Sequence, residues 1–165
     1  MDETRWLSTE ELHFWRSFLD TTSRALRDIE DRLKAESNLT FDDYEVLVHL
    51  SEAPERRLAM SELSDRLIHT RNRVSQRIDR MSAKGLVTRE KCEDDARRVY
   101  AVLTEKGLTT ITNAAPAHVT TVRELVIDRL SQADIQKGLE IFKKIDTPHP
   151  SIRPPKHPLG EKPTS

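Results

Sequence analysis

The stretch TRNRVSQRIDRMSAKGLVTREKCEDDARRVYAVLTEKG, residues 70–107, changes its repeat partway along. In its first part Val74, Ile78 and Met81 recur at helical spacing, Thr70 can cap the start, and Gly85 stands where a helix ends. From Leu86 to Cys92, and again from Arg98 to Leu103, the period becomes that of a strand. The polar link Glu93-Asp94-Asp95-Ala96-Arg97 joins the two runs as a hairpin, and Thr104 can cap a following helix. On a wheel of about 100° per residue, Val74, Ile78 and Met81 share one arc. Asn72, Gln76 and Asp79 lie opposite them, and Arg73, Arg77, Arg80 and Lys84 line one flank.

Just before this stretch, MSELSDRL (60–67) reads as a short helix with Leu63 and Leu67 inward and Ser61 as its cap. The turn Ile68-His69-Thr70 separates it from the basic helix. Helix, short turn, basic helix and hairpin is the order of a winged helix-turn-helix. The charge distribution agrees. The whole chain carries a net charge of −1, yet ten basic and five acidic side chains lie between Arg66 and Arg98. A cationic segment in an otherwise acidic protein points to a local polyanion contact. Asn and Gln are the amides that pair bidentately with adenine, and the flanking arginines suit guanine or phosphate. Arg97 and Arg98 stand where a wing reaches a narrow groove.

Outward from this centre, the remaining segments read as helices. Ser8-Thr9-Glu10-Glu11 forms a capping box, followed by Leu12, Trp15, Leu19, Thr22, Leu26, Ile29 and Leu33 at alternating spacings of three and four. A second stripe, Phe14, Phe18 and Ala25, runs beside that seam, so the helix has two faces to bury. Thr40-Phe41-Asp42-Asp43 is a second capping box, opening a helix that stops near Ala53. The helix after Thr104 carries Leu108, Ile111, Val119, Val122, Leu125, Val126 and Leu130, and Pro116 is expected to kink or interrupt it. Ser131-Gln132-Ala133-Asp134 opens a last helix with Ile135, Leu139, Phe142 and Ile145 on one face. Six of the eight prolines fall in the final 20 residues, the composition of a disordered tail.

The expected architecture is mainly α with a small β-hairpin wing. A helical dimerisation region (1–37 and 105–146) surrounds a winged helix-turn-helix lobe (38–104), and 147–165 is the tail. Apolar stripes on the first, fifth and last helices exceed what one small lobe can bury, which predicts a two-fold dimer. No apolar run approaches the length of a membrane span and no secretory leader is visible, so the expected location is cytoplasmic. One cysteine, Cys92, excludes an internal disulfide framework. It stands beside Arg89 and Lys91, so a redox-responsive regulator is an alternative to a passive thiol. The six histidines show no ligand-like spacing and no glycine loop cradles phosphate, so neither a catalytic site, a metal nor a cofactor is expected.

The stretch from Leu58 to Gly107 resembles the MarR family, through MSELSDRL, TRNRVSQRIDRMSAKGLVTRE and DDARRVYAVLTEKG. Asp95 and Arg97 match the acidic and basic positions of that family's wing, and Leu103-Thr104-Glu105-Lys106-Gly107 matches the start of its long fifth helix. Ala96 departs from a second wing arginine found in many members, a role Arg98 could take. The resemblance implies a homodimer that represses by occupying a pseudo-palindromic operator on double-stranded DNA. It also implies release by a small lipophilic or phenolic effector. The expected DNA-binding set is Thr70, Arg71, Asn72, Arg73, Gln76, Arg77, Arg80, Arg97 and Arg98. Trp15, Phe18, Leu19 and Thr22 with Tyr44 and Leu47 are candidate effector residues, or ordinary core. A winged interaction module without DNA binding is the other alternative.

Overall fold

A computed structural model of the chain describes residues 4–67, 69–91 and 98–145. Six helices and three strands follow in the order α1 (Thr9–Ser37), α2 (Phe41–Glu52), β1 (Arg57–Ala59), α3 (Met60–Arg66), α4 (Arg71–Ala83), β2 (Val87–Lys91), β3 (Val99–Leu103), α5 (Glu105–Leu125) and α6 (Gln132–Ile145). Single 3-10 turns sit at Pro54–Arg56 and Ile127–Arg129. The fold is mainly α with a small antiparallel sheet, ordered β1-β3-β2.

The helix starts follow the capping chemistry in the sequence. Ser8 Oγ accepts from the Glu11 amide and the Glu11 carboxylate accepts from the Ser8 amide, a complete capping box. Asp134 and Ser131 make the same exchange before α6. Thr70 and Thr104 cap α4 and α5. α1 ends at Asn38, whose left-handed φ of 53° lets its amide reach back to the Leu33 and Lys34 carbonyls. Gly85 plays that part after α4, with φ 72°.

The fold departs from expectation at five points. α3 begins at Met60, before Ser61, and has no side-chain cap, because β1 delivers the chain directly into its first turn. β1 itself was not anticipated. Three residues are too few to show a period, and the strand exists by pairing Leu58 with Ala101 of β3. Pro116 does not interrupt α5. Pro116 and Thr112, four residues earlier, are both exposed, so the carbonyl that loses its partner faces water. α5 does stop short of Leu130, at Leu125, with a 3-10 turn after it. The Thr40 box is one-sided: Thr40 Oγ1 accepts from the Asp43 amide, but the Asp43 carboxylate turns to Arg77 of α4.

The core lies where α2, α3 and α4 meet the sheet and α5. Val46, Leu47 and Leu50 of α2, Leu63 of α3, and Val74, Ile78 and Met81 of α4 are almost completely enclosed. Val87 and Ala101 close it from the sheet, and Ile111 and Ala114 from α5. Burying a large aliphatic side chain contributes about 1.5–3 kcal/mol, so this cluster dominates the lobe's stability. α1 joins only through its C-terminal half, by Ile29 and Leu33, and Arg32 Nη1 pairs with Glu124 Oε2 of α5 at 2.6 Å. The N-terminal half of α1 leaves Phe14, Trp15, Phe18 and Leu19 exposed, and no residue of α6 is buried.

Gly107 marks the tightest approach between α5 and the base of the sheet. A Cβ there would stand 2.1 Å from the Leu86 carbonyl oxygen and 2.7 Å from Leu103 Cδ1. Gly107→Ala is therefore expected to destabilise the protein by about 1–3 kcal/mol or more through overpacking. Urea unfolding followed by circular dichroism measures this, and an unchanged midpoint would show that the α5 junction can open.

Candidate nucleic-acid interface

The burial of Val74, Ile78 and Met81 fixes which face of α4 looks outward. Asn72, Gln76 and Asp79 are exposed on the opposite side, as the wheel predicts. Thr70, Arg71, Arg73 and Arg80 are exposed too. Arg77 is not. Its side chain keeps 16% of its accessible surface and pairs with Asp42 and with Asp43 Oδ1, the latter at 3.0 Å. Its Nη1 also donates to Thr40 Oγ1 at 3.3 Å. The wheel carried a usable signal, since Arg77 lies about 65° from the centre of the buried arc, nearer than Arg73, Arg80 or Lys84. What no wheel could supply is the pair of carboxylates waiting on α2.

The wing is joined to α4 by a contact that sequence reading missed. Arg89 Nη2 donates to the Ser75 carbonyl at 2.8 Å and to Ser75 Oγ at 2.9 Å, and stands 2.8 Å from Asp79 Oδ1. In this tie the strand supplies the cation and the helix the acid. Asp95, Arg97 and Cys92 lie outside the described residues. Arg98 begins the return strand, with its guanidinium 5.9 Å from the Tyr100 ring centroid.

Between α3, α4 and the two wing strands lies a cleft of about 330 Å³. Ser61, Ser64, Ser75, Arg71, Arg89 and Arg98 supply its polar lining, and no acidic residue is among the described residues that line it. The guanidinium groups of Arg71 and Arg98 with neighbouring hydroxyls are the chemistry that receives a phosphate oxyanion, while Arg89 is held by Ser75 and Asp79.

The candidate effector residues separate by burial. Leu47 is sealed in the core and Tyr44 is 7% exposed, whereas Trp15, Phe18, Leu19 and Thr22 stand exposed on α1. Those four precede Ile29, the first buried residue of that helix, by about 10–21 Å at 1.5 Å per residue. The environment of Tyr44 brings in a residue that sequence reading passed over. His118 of α5 packs its ring 4.2 Å from the Tyr44 ring centroid and 6.4 Å from that of Phe41. Its Nδ1 is buried with no hydrogen-bond partner. Burial holds the imidazole below its ordinary pKa, and burial followed by the Glu52 charge pushes the Tyr44 hydroxyl up to about 12.

Comparison with known proteins fixes the lineage. A MarR family profile matches residues 37–98. AbsC, a MarR family regulator from Streptomyces coelicolor, is 40% identical; the match covers 86% of this chain and 95% of AbsC, with a TM-score of 0.83. The chain belongs to the MarR family of transcriptional regulators. A second MarR family regulator from S. coelicolor, solved in complex with DNA, is 35% identical with a TM-score of 0.84, over 88% of this chain and 91% of the other. The regulator MhqR of Bacillus subtilis is 26% identical over 129 residues, 74% of this chain and 85% of MhqR. Among the described residues of this MarR family member, no helix is long and apolar enough to cross a membrane.

The buried imidazoles give a pH dependence with a definite sign. His118 and His49 both have pKa values lowered from 6.5, first by burial and, for His49, also by Arg66. The unfolded chain therefore takes up protons before the folded one. Stability is full above the unfolded value and falls as pH drops through the folded values. The melting temperature should decline as pH falls below the ordinary histidine value of 6.5, and less steeply in His118→Phe. Calorimetry at stepped pH tests this; an identical decline in the variant would sink the assignment to His118.

Proposed function

We propose that this regulator is a sequence-specific repressor that grips double-stranded DNA as a homodimer and lets go when a small effector binds. The observation that carries the reading is the outward face of α4. Asn72 and Gln76 stand opposite the buried stripe, one turn apart and exposed, with Arg73 and Arg80 open beside them. Amides facing a groove supply paired donors and acceptors that phosphate contact does not require. The cleft, with Arg71 and Arg98, is suited to the backbone at the edge of that groove. The structure of a 35%-identical regulator in complex with DNA supports the same use of the fold. Arg97 completes the wing in this reading, and the protein works in the cytoplasm beside chromosomal DNA.

The dimer is supported by apolar surface that none of the described residues covers. Phe14, Trp15 and Leu19 of α1 and Leu139, Phe142 and Ile145 of α6 are each more than 40% exposed. Large apolar side chains exposed at helical spacing along two helices suit an association site. We assign these helix faces to a second copy of the chain, dividing the protein into a dimerisation region and a winged lobe. The effector reading is supported by His118. An unpartnered buried ring nitrogen against Tyr44 and Phe41 suits a lipophilic or phenolic molecule with one polar group.

Gln76→Ala or Asn72→Ala should cost about 1–3 kcal/mol on a selected operator duplex and far less on random duplex. Arg80→Ala should weaken both alike. Fluorescence anisotropy at matched salt separates the two, and equal losses on both duplexes for the amide variants would refute base reading by this face. Light scattering should give twice the chain's 19.0 kDa. Leu139→Glu with Phe142→Glu should shift the mass to one chain, and a wild-type monomer at micromolar concentration would remove the dimer.

A further inference from the structure

Arg77 lies at the contact between α4 and the first turn of α2. Its guanidinium is matched by three acceptors, the carboxylates of Asp42 and Asp43 and the Thr40 hydroxyl. Lys84 Nζ stands 3.7 Å from Asp43 Oδ2, and His69 Nε2 stands 3.7 Å from Asp42 Oδ1. Both carboxylates occupy the first turn of α2, where the helix dipole favours negative charge. The cluster is thus satisfied within the protein. A phosphate could recruit Arg77 only by breaking pairs already made and leaving Asp43, itself 6% exposed, with Lys84 at 3.7 Å as its remaining cation.

The location gives this cluster a mechanical consequence. Arg77 holds one flank of α4 at mid-helix, and Arg89 of β2 holds the other flank through Ser75 and Asp79. An apolar stripe alone permits a helix to roll by small angles against its neighbours, since dispersion contacts carry little directional preference. Two charge-assisted ties on opposite flanks remove that roll. The direction of Asn72 and Gln76 is set by it, and bidentate base pairing tolerates little misalignment.

We infer that Arg77 is a positioning residue for base recognition: clamped by Asp42 and Asp43, it fixes the roll of α4 and does not touch DNA. This rests on the DNA-reading function proposed above. It reverses the simplest expectation for Asp42. A carboxylate near a DNA-binding surface repels phosphate, so neutralising a passive Asp42 would tighten binding to any duplex. A clamping Asp42 gives the opposite sign on the preferred sequence.

The test uses the full chain with two probes, a duplex enriched from a random pool by the wild-type protein and the unselected pool. Affinities are measured over a salt series for wild type, Arg77→Gln, Asp42→Asn, the double variant and Arg80→Gln. Asp42 has a side chain 37% exposed, so its substitution leaves the core intact, and circular dichroism confirms each fold. Arg77→Gln and Asp42→Asn should each weaken the enriched duplex about tenfold, a loss of about 1.4 kcal/mol. Both should leave the unselected pool and the salt slope nearly unchanged, and the double variant should be no worse than Arg77→Gln alone. Arg80→Gln should weaken both probes and reduce the salt slope by about one. Tighter binding of both probes by Asp42→Asn, or a shallower slope for Arg77→Gln, would overturn the clamp and leave DNA reading in place. Wild-type protein that binds the two probes equally would overturn DNA reading, and the clamp with it.

Discussion

Everything at the interface depends on the burial of three side chains of α4. Val74, Ile78 and Met81 sit in the lobe's core against α2 and α3, and a helix held by one stripe must present the opposite one to solvent. The hydrophobic term is large and non-directional. It decides that Asn72 and Gln76 face outward, and it leaves their finer orientation to polar contacts. The base of the sheet then places the wing. Gly107 lets α5 close on the Leu86 carbonyl, and Thr104 Oγ1 donates to the Gly85 carbonyl at 2.8 Å. The end of α4, the start of β2 and the start of α5 therefore meet at one junction.

Cations on α4 divide into two kinds that composition cannot tell apart. Arg73 and Arg80 are open to solvent, whereas Arg77 and Lys84 face carboxylates of α2. Electrostatic attraction to DNA needs the first kind. Of the second kind, Arg77 is engaged in a poorly solvated setting, where charge-assisted pairs resist exchange for a phosphate, while Lys84 pairs from a half-exposed position. The wing has a similar division. Arg89 is engaged with Ser75 and Asp79, while Arg98 rests over Tyr100 at the mouth of the cleft.

The α2 helix is where these features converge. Its first turn holds Arg77, its buried face forms much of the core, and Tyr44 meets His118 of α5. α5 is in turn tied to α1 by Arg32 and Glu124. A molecule lodged beside His118 would press on an element that also carries the anchor of α4. The physical link is short and made of packed side chains and ion pairs, the kind of contact through which two sites can be coupled.

The order of the six helices and of the two wing strands was legible in the sequence, because capping residues, the 3.6-residue stripes and the change to period two are local signals. Ser8, Thr70, Thr104 and Ser131 open helices as their side chains dictate, and Val74, Ile78 and Met81 could be named as core without coordinates. Charge patterning pointed to a polyanion contact, and the resemblance carried by residues 58–107 pointed to the family. Tertiary structure alone decided what long-range neighbours impose. β1 is a strand because β3 lies beside it, and α3 needs no cap because β1 leads into it. Pro116 sits within α5 because its lost hydrogen bond falls on a solvent face. Arg77 turns inward because Asp42 and Asp43, some 35 residues earlier in the chain, stand opposite it in space. Local patterns report the angle of a side chain on its own helix. They do not report the charge it meets, which is set by how separate helices pack.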